Sequence, residues 1–169
     1  MNKKQVLGGF IVAVLLALAM LVSGGSTPIK DQPAPDFTLT ALDGSTVVLS
    51  ELRGRPVLLS FWGSTCPPCR VEAPHLSRLA ERYRGDGLVV LGVNSWNESE
   101  ATVAKIAGDE RLKHRILLYG GEAARRYKIS SIPATFWIDR EGMIVDAVYG
   151  FHGAEALEAK TRKLIDKTR

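Results

Sequence analysis

The sequence predicts an α/β domain built on a central mixed sheet flanked by helices, with an extra N-terminal β-hairpin and a hydrophobic membrane segment ahead of it. Three observations carry this. Uniformly apolar runs of strand length alternate with longer stretches of helical periodicity, the pattern of a sheet covered on both faces. Asp43-Gly44 stands between two short β-prone runs, which is a hairpin signal. Val6 to Val22 is apolar or glycine without one charge, directly after Lys3 and Lys4.

Residues 1–25 form the membrane segment. A core helix does not normally lie at the extreme end of a chain with no polar face. The choices are a retained anchor and a cleaved signal peptide. Seventeen apolar residues reach the lower limit for spanning a bilayer and exceed a signal-peptide core of about 7 to 15 residues, which favours the anchor. Ser23, Gly24 and Gly25 are small enough to leave cleavage, and a secreted form, open. Lys3 and Lys4 stay in the cytoplasm by the positive-inside rule, so everything after Ser23 is expected on the periplasmic or outer face of the cell membrane.

Residues 26–34 are expected to be a linker and residues 35–169 the domain. Phe37 to Thr40 and Thr46 to Leu49 read as the hairpin, followed by one helical turn near Ser50. Val57 to Trp62 reads as a buried strand, Pro67 to Tyr83 as a helix with Leu76, Leu79 and Ala80 inward, and Leu88 to Val93 as a second buried strand. That order implies a parallel pair with a right-handed crossover. A helix over Glu98 to Ala107, a short strand at Ile116 to Leu118 and a short helix at Glu122 to Tyr127 follow. Thr135 to Asp139 and Met143 to Val148 flank a turn ending in Gly142, and Glu155 to Lys167 closes the domain as an amphipathic helix.

A chain that is 46% hydrophobic and 24% charged has the make-up of one ordinary globular domain plus an appendage, not of a disordered chain. The net charge of +4 is spread over faces where Lys and Arg alternate with Glu and Asp. Such faces are solvated surface, and nothing in them argues for nucleic acid.

Cys66 and Cys69 are the only cysteines, in Trp62-Gly63-Ser64-Thr65-Cys66-Pro67-Pro68-Cys69, where a buried strand hands over to a helix. A structural zinc site needs about four ligands, and His75, His114 and His152 are scattered singly. A disulfide across so short a loop adds little stability. At a helix N-terminus, by contrast, free N–H groups and the dipole stabilise a thiolate, so redox chemistry is the leading reading.

The run Leu59 to Cys69, with Pro74 five residues on, resembles the active-site strand and first helix of the thioredoxin superfamily. Ile129 to Asp139, with Ile132-Pro133 at its centre, resembles that family's cis-proline loop. The hairpin, the Ala34-Pro35-Asp36-Phe37 opening and the single anchor are similar to the TlpA/ResA/CcmG-like branch of extracytoplasmic thiol-disulfide oxidoreductases. The resemblance implies that Cys66 attacks a disulfide and Cys69 resolves the mixed disulfide, with no cofactor beyond the redox-active pair. It implies that Trp62, Thr65, Pro67, Pro68, Ile132 and Pro133 meet the substrate chain. The implied partners are protein disulfides such as those of apocytochrome c, and a membrane thiol reductase of CcdA/DsbD type that recharges the pair.

Ser60 stands where thioredoxin has a buried acid, and Thr65 where a Trp is common. Glu98, just after the second strand, is the candidate replacement as proton acceptor, against a plain helix-start glutamate favoured by the dipole. Neither Pro67 nor Pro68 can offer an N–H to Cys66, so a moderately depressed thiol pKa and a reducing couple are expected. Two rivals stay open. A peroxiredoxin-type thiol peroxidase shares the fold but has a Pro-x-x-x-Thr-x-x-Cys pattern absent here. A Sco-like copper-delivery protein separates its cysteines by three residues instead of two.

Overall fold

The computed structural model describes residues 29–167. The anchor and cleavage readings lie outside these residues, among which no helix is long and apolar enough to cross a membrane. In chain order the elements are β1 (Gln32–Pro33), β2 (Thr38–Thr40), β3 (Thr46–Val48), a 3-10 turn (Leu49–Leu52), β4 (Val57–Trp62), α1 (Pro67–Arg82), a 3-10 turn (Arg84–Asp86), β5 (Val89–Asn94), α2 (Glu100–Asp109), β6 (Arg115–Leu117), α3 (Gly121–Arg126), β7 (Ala134–Ile138), β8 (Met143–Tyr149) and α4 (Ala154–Lys167). Six strands form one sheet in the order β1-β8-β7-β4-β5-β6, and β2 with β3 forms the separate hairpin. β4, β5 and β6 are parallel, while β7 runs antiparallel to both β4 and β8. The sheet is therefore mixed, as the sequence predicts.

Alternation along β4 divides the molecule. Val57, Leu59 and Phe61 enter one core with the hairpin residue Val47, with Ala123 of α3 and with Tyr127 just beyond it. Leu58 enters the other, with Leu76 and Leu79 of α1 and Leu157, Leu164 and Ile165 of α4. On that second face β7 presents Thr135 and Trp137, paired across the ladder with Ser60 and Leu58. Trp137 fixes α4 by donating its indole N–H to Thr161 Oγ1 at 3.0 Å. The hairpin lies against β6, through Leu42 N to Ile116 O at 3.0 Å and Leu118 N to Thr40 O at 2.8 Å.

Most predicted elements appear within one or two residues. Two differences have simple causes. The helix expected from Glu98 begins at Glu100, because Ser99 is its N-cap and accepts from Thr102 N. β1 arises inside the segment read as linker: Gln32 and Pro33 pair with Ile144 and Met143, and Ile29 is buried. A two-residue strand has no periodicity to read, and its proline is tolerated at the sheet's edge.

His114 enters β6 buried, with Nδ1 at 2.9 Å from Ser77 Oγ, which itself accepts from Lys113 N. Burial pushes the imidazole down to about 4 from its usual 6.5. Below 6.5 the unfolded chain takes up a proton that the folded one refuses, so stability falls as pH drops from 6.5 to about 4 and levels off below. The full loss is about 3 kcal/mol. Urea unfolding of the wild type and of His114→Gln across this range is expected to show a flatter pH profile in the variant. Parallel profiles would refute the assignment.

Candidate active site

A strand that ends at Trp62 and a helix that begins at Pro67 leave four residues to turn the chain, and Cys66 is the last of them. Its extended backbone makes it the N-cap of α1, and its sulfur accepts from Cys69 N at 3.3 Å. Cys66 and Cys69 are joined as a disulfide with Cα atoms 5.3 Å apart. Proline suits the first helical positions because the N–H groups there lack helical partners anyway. With Pro67 and Pro68 in those places, Cys69 supplies the one backbone N–H among the described residues that bonds the Cys66 sulfur.

The surroundings of the pair are uneven. Thr65, Pro67 and Pro68 are exposed beside it, whereas Cys66 keeps 6% and Cys69 2% of its surface. Ile132 O stands 3.7 Å from Cys66 Sγ across the gap, and the Ile132–Pro133 peptide bond is cis. Pro133 itself is buried and Ile132 half-buried. Trp62 is buried and packs in one cluster with both cysteines, so it forms the wall behind them instead of the exposed rim. Its indole N–H has no acceptor among the described residues.

Glu98 reaches the site through the loop. Its carboxylate accepts from Ser64 N at 2.9 Å, from Ser64 Oγ and from Asn94 Nδ2, while Asn94 Oδ1 accepts from Glu98 N. Burial pushes this carboxyl up, but the bonds from Ser64 and Asn94 outweigh burial and hold it below the usual range. It is an anion that clamps the turn two residues before Cys66, a poor arrangement for taking a proton near neutral pH.

A second acid, which sequence reasoning passes over, lies under the helix. Glu72 is 2% exposed, and its Oε1 accepts from Ser60 Oγ at 2.9 Å and from Thr135 Oγ1 at 2.8 Å. Burial raises its pKa against those two hydrogen bonds and the charge of His152. Residues three apart share a helix face, which places Glu72 one turn beyond Cys69 on the inward side. The readable signal was its position: Cys69, Glu72, Ala73, Leu76 and Leu79 are all inward residues of α1, and an acid among them needs a partner. The strand's serine thus donates to a buried acid that comes from the helix.

His75 stacks on Phe151 with ring centroids 5.4 Å apart, away from these contacts. Among the described residues no group of three or more His, Cys, Asp or Glu is placed to hold a metal ion. The arrangement can therefore offer an N-cap sulfur, a second sulfur one turn into the helix, and a buried carboxyl with a raised pKa.

The profile of the AhpC/TSA family matches residues 31–147. Thiol-disulfide oxidoreductase ResA from Bacillus thuringiensis subsp. konkukian is 30% identical over 132 residues, which are 78% of this chain and 76% of ResA. Thioredoxin-like protein YneN from Bacillus subtilis is 36% identical over 133 residues, 78% of each chain. A crystal structure of a candidate thiol:disulfide interchange protein DsbE from Chlorobium tepidum superposes with a TM-score of 0.76 at 30% identity, over 82% of this chain and 99% of that one.

The clamp makes a stability prediction. Glu98→Ala leaves the buried amide and hydroxyl of Ser64 without their acceptor, which is expected to cost about 1–3 kcal/mol. A denaturant midpoint equal to that of the wild type would show that the clamp holds nothing.

Proposed function

This chain belongs to the AhpC/TSA family as a thiol-disulfide oxidoreductase of ResA type, and we propose that it runs in the reducing direction, outside the cytoplasm, on disulfides of other proteins. The observation that carries the direction is that, among the described residues, Cys69 N is the one backbone N–H bonded to the Cys66 sulfur, Pro67 and Pro68 having none to give. Strong oxidants of this chemistry owe their potential to a stabilised reduced form. With two prolines following Cys66, donors are few, the thiolate is less favoured, and the pair holds its electrons less tightly.

In the reduced protein the Cys66 thiolate attacks one sulfur of the partner's disulfide and expels the other as a thiolate, giving a mixed disulfide. Cys69 then loses its proton and attacks Cys66 Sγ. The second partner thiolate leaves, and two electrons have passed from the Cys66/Cys69 pair to the partner. Cys69 is nearly enclosed, so the proton needs a nearby acceptor. Glu72, one turn on with a raised pKa, is that acceptor, and Glu98 keeps the loop in place. Ile132 and Pro133, with Thr65, Pro67 and Pro68, border the path of the substrate chain. No cofactor is needed beyond the pair itself.

The uncharged stretch Val6 to Val22 supports an anchor that holds the domain on the periplasmic or outer face of the membrane. There the surroundings are oxidising, so a membrane thiol reductase of CcdA/DsbD type must return electrons to the pair. Apocytochrome c, whose cysteines must be reduced to take up heme, is the substrate class suggested by the resemblance to the ResA branch.

The deciding experiment equilibrates the soluble domain with thiol–disulfide buffers. A potential near or below about −270 mV fits a reductant, and one near about −120 mV overturns the direction. Glu72→Gln tests the proton acceptor, since the amide keeps an oxygen for Ser60 and Thr135 but cannot take a proton. Resolution of the mixed disulfide, followed by quenched flow, is expected to slow by about 100-fold or more. The wild-type rate should rise with pH through the raised pKa of Glu72, and the variant should lose that rise. Equal rates in the two proteins would remove Glu72 from the mechanism.

A further inference from the structure

Three large apolar side chains are conspicuously exposed among the described residues, and two of them stand at the disulfide end of the sheet. Trp96, 49% exposed, follows β5, and Tyr119, 52% exposed, follows β6. Because β4, β5 and β6 are parallel, the loops after them emerge side by side. Ser95 N donates to Trp62 O at 2.9 Å, and Gly120 N donates to Asn94 O at 2.8 Å. Gly121 N donates to Asn97 Oδ1 at 3.1 Å. These bonds tie the Trp96 and Tyr119 loops to each other and to the turn that carries Cys66.

The indole of Trp96 lies directly on Gly63, three residues before Cys66: a Cβ at position 63 would stand 2.4 Å from Trp96 Cε3. Glycine there admits the ring. Tyr119 is held at φ +56° and Asn97 at φ +51°. An aromatic residue in the left-handed region is a costly choice for a simple turn, since Gly120 stands next in the chain. The fold thus bears backbone strain at one aromatic and leaves the other half-exposed, Trp96 against the turn that leads to Cys66 and Tyr119 in the loop bonded to the Trp96 loop.

We propose that Trp96 and Tyr119 form a docking rim for an apolar or aromatic side chain of the partner protein, next to the partner's reacting cysteine. The inference rests on the reading that the substrate is a protein disulfide, in either direction of electron flow. It commits to that occupant because β5 and β6 lie on one side of β4 and β7, which follows Ile132, on the other, so the residues flanking a polypeptide disulfide at Cys66 reach this rim on the side opposite Ile132. A small disulfide has no such residues and gains nothing from the rim.

The test compares the wild type, Trp96→Ala and Tyr119→Gly on three substrates. These are a peptide disulfide with Phe or Leu beside a cysteine, the same peptide with Ser there, and hydroxyethyl disulfide. Both variants are expected to lose about tenfold or more in kcat/KM on the apolar peptide. They should match the wild type on the other two substrates and in reduction potential. Undiminished turnover of the apolar peptide, or an equal loss on all three, overturns the rim. A wild type that turns over hydroxyethyl disulfide but neither peptide overturns the protein-disulfide reading itself, and the rim falls with it.

Discussion

One buried carboxyl governs how the active-site helix sits on the sheet. Glu72 cannot enter the interior without hydrogen bonds, and the two hydroxyls that meet it come from β4 and β7, the central strands. They stand together because the ladder pairs Ser60 with Thr135 and turns both toward α1. The same bonds fix the rotation of α1 about its axis. That rotation places Cys69 inward, keeps Pro67 and Pro68 outward, and leaves Cys66 at the mouth of the turn. The register of two strands thus sets the presentation of a sulfur, by way of a single side chain.

The two acids near the pair are driven in opposite directions by their surroundings. Glu72 has two hydroxyl donors and little solvent, so burial prevails and its pKa is raised above the usual carboxylate value. Glu98 has a backbone amide, a hydroxyl and a side-chain amide, so the donors prevail and the anion persists. Only the environment distinguishes them: one is a buried acid with a raised pKa under the helix, the other an anion that braces the loop.

The strands were legible in the sequence because both faces of the sheet are covered, so Val57 to Trp62 and Ala134 to Ile138 carry nearly unbroken apolar runs. The cysteine pair was legible because its chemistry depends on local spacing. β1 was not, since two residues carry no period. Glu72 and Trp96 were not, for a shared reason: each owes its role to residues far along the chain. Glu72 needs Thr135, 63 residues away. Trp96 matters through the bare backbone of Gly63. Glu98 was legible as a site residue but not in its role, because the sequence does not show that Ser64 turns its amide toward it.

The hairpin beside β6 has a consequence for how a partner can be held. A bare edge strand is a template on which any extended polypeptide can lay a further strand, the route to both β-augmentation and edge-to-edge aggregation. β6 borders the loop that carries Tyr119, where a partially folded, cysteine-bearing client would arrive. Its outward carbonyl at Ile116 is already taken by Leu42, and the amide of Leu118 just beyond it is taken by Thr40. At these two positions an extended chain reaching this flank would find the ladder groups already bonded and only side chains to rest on.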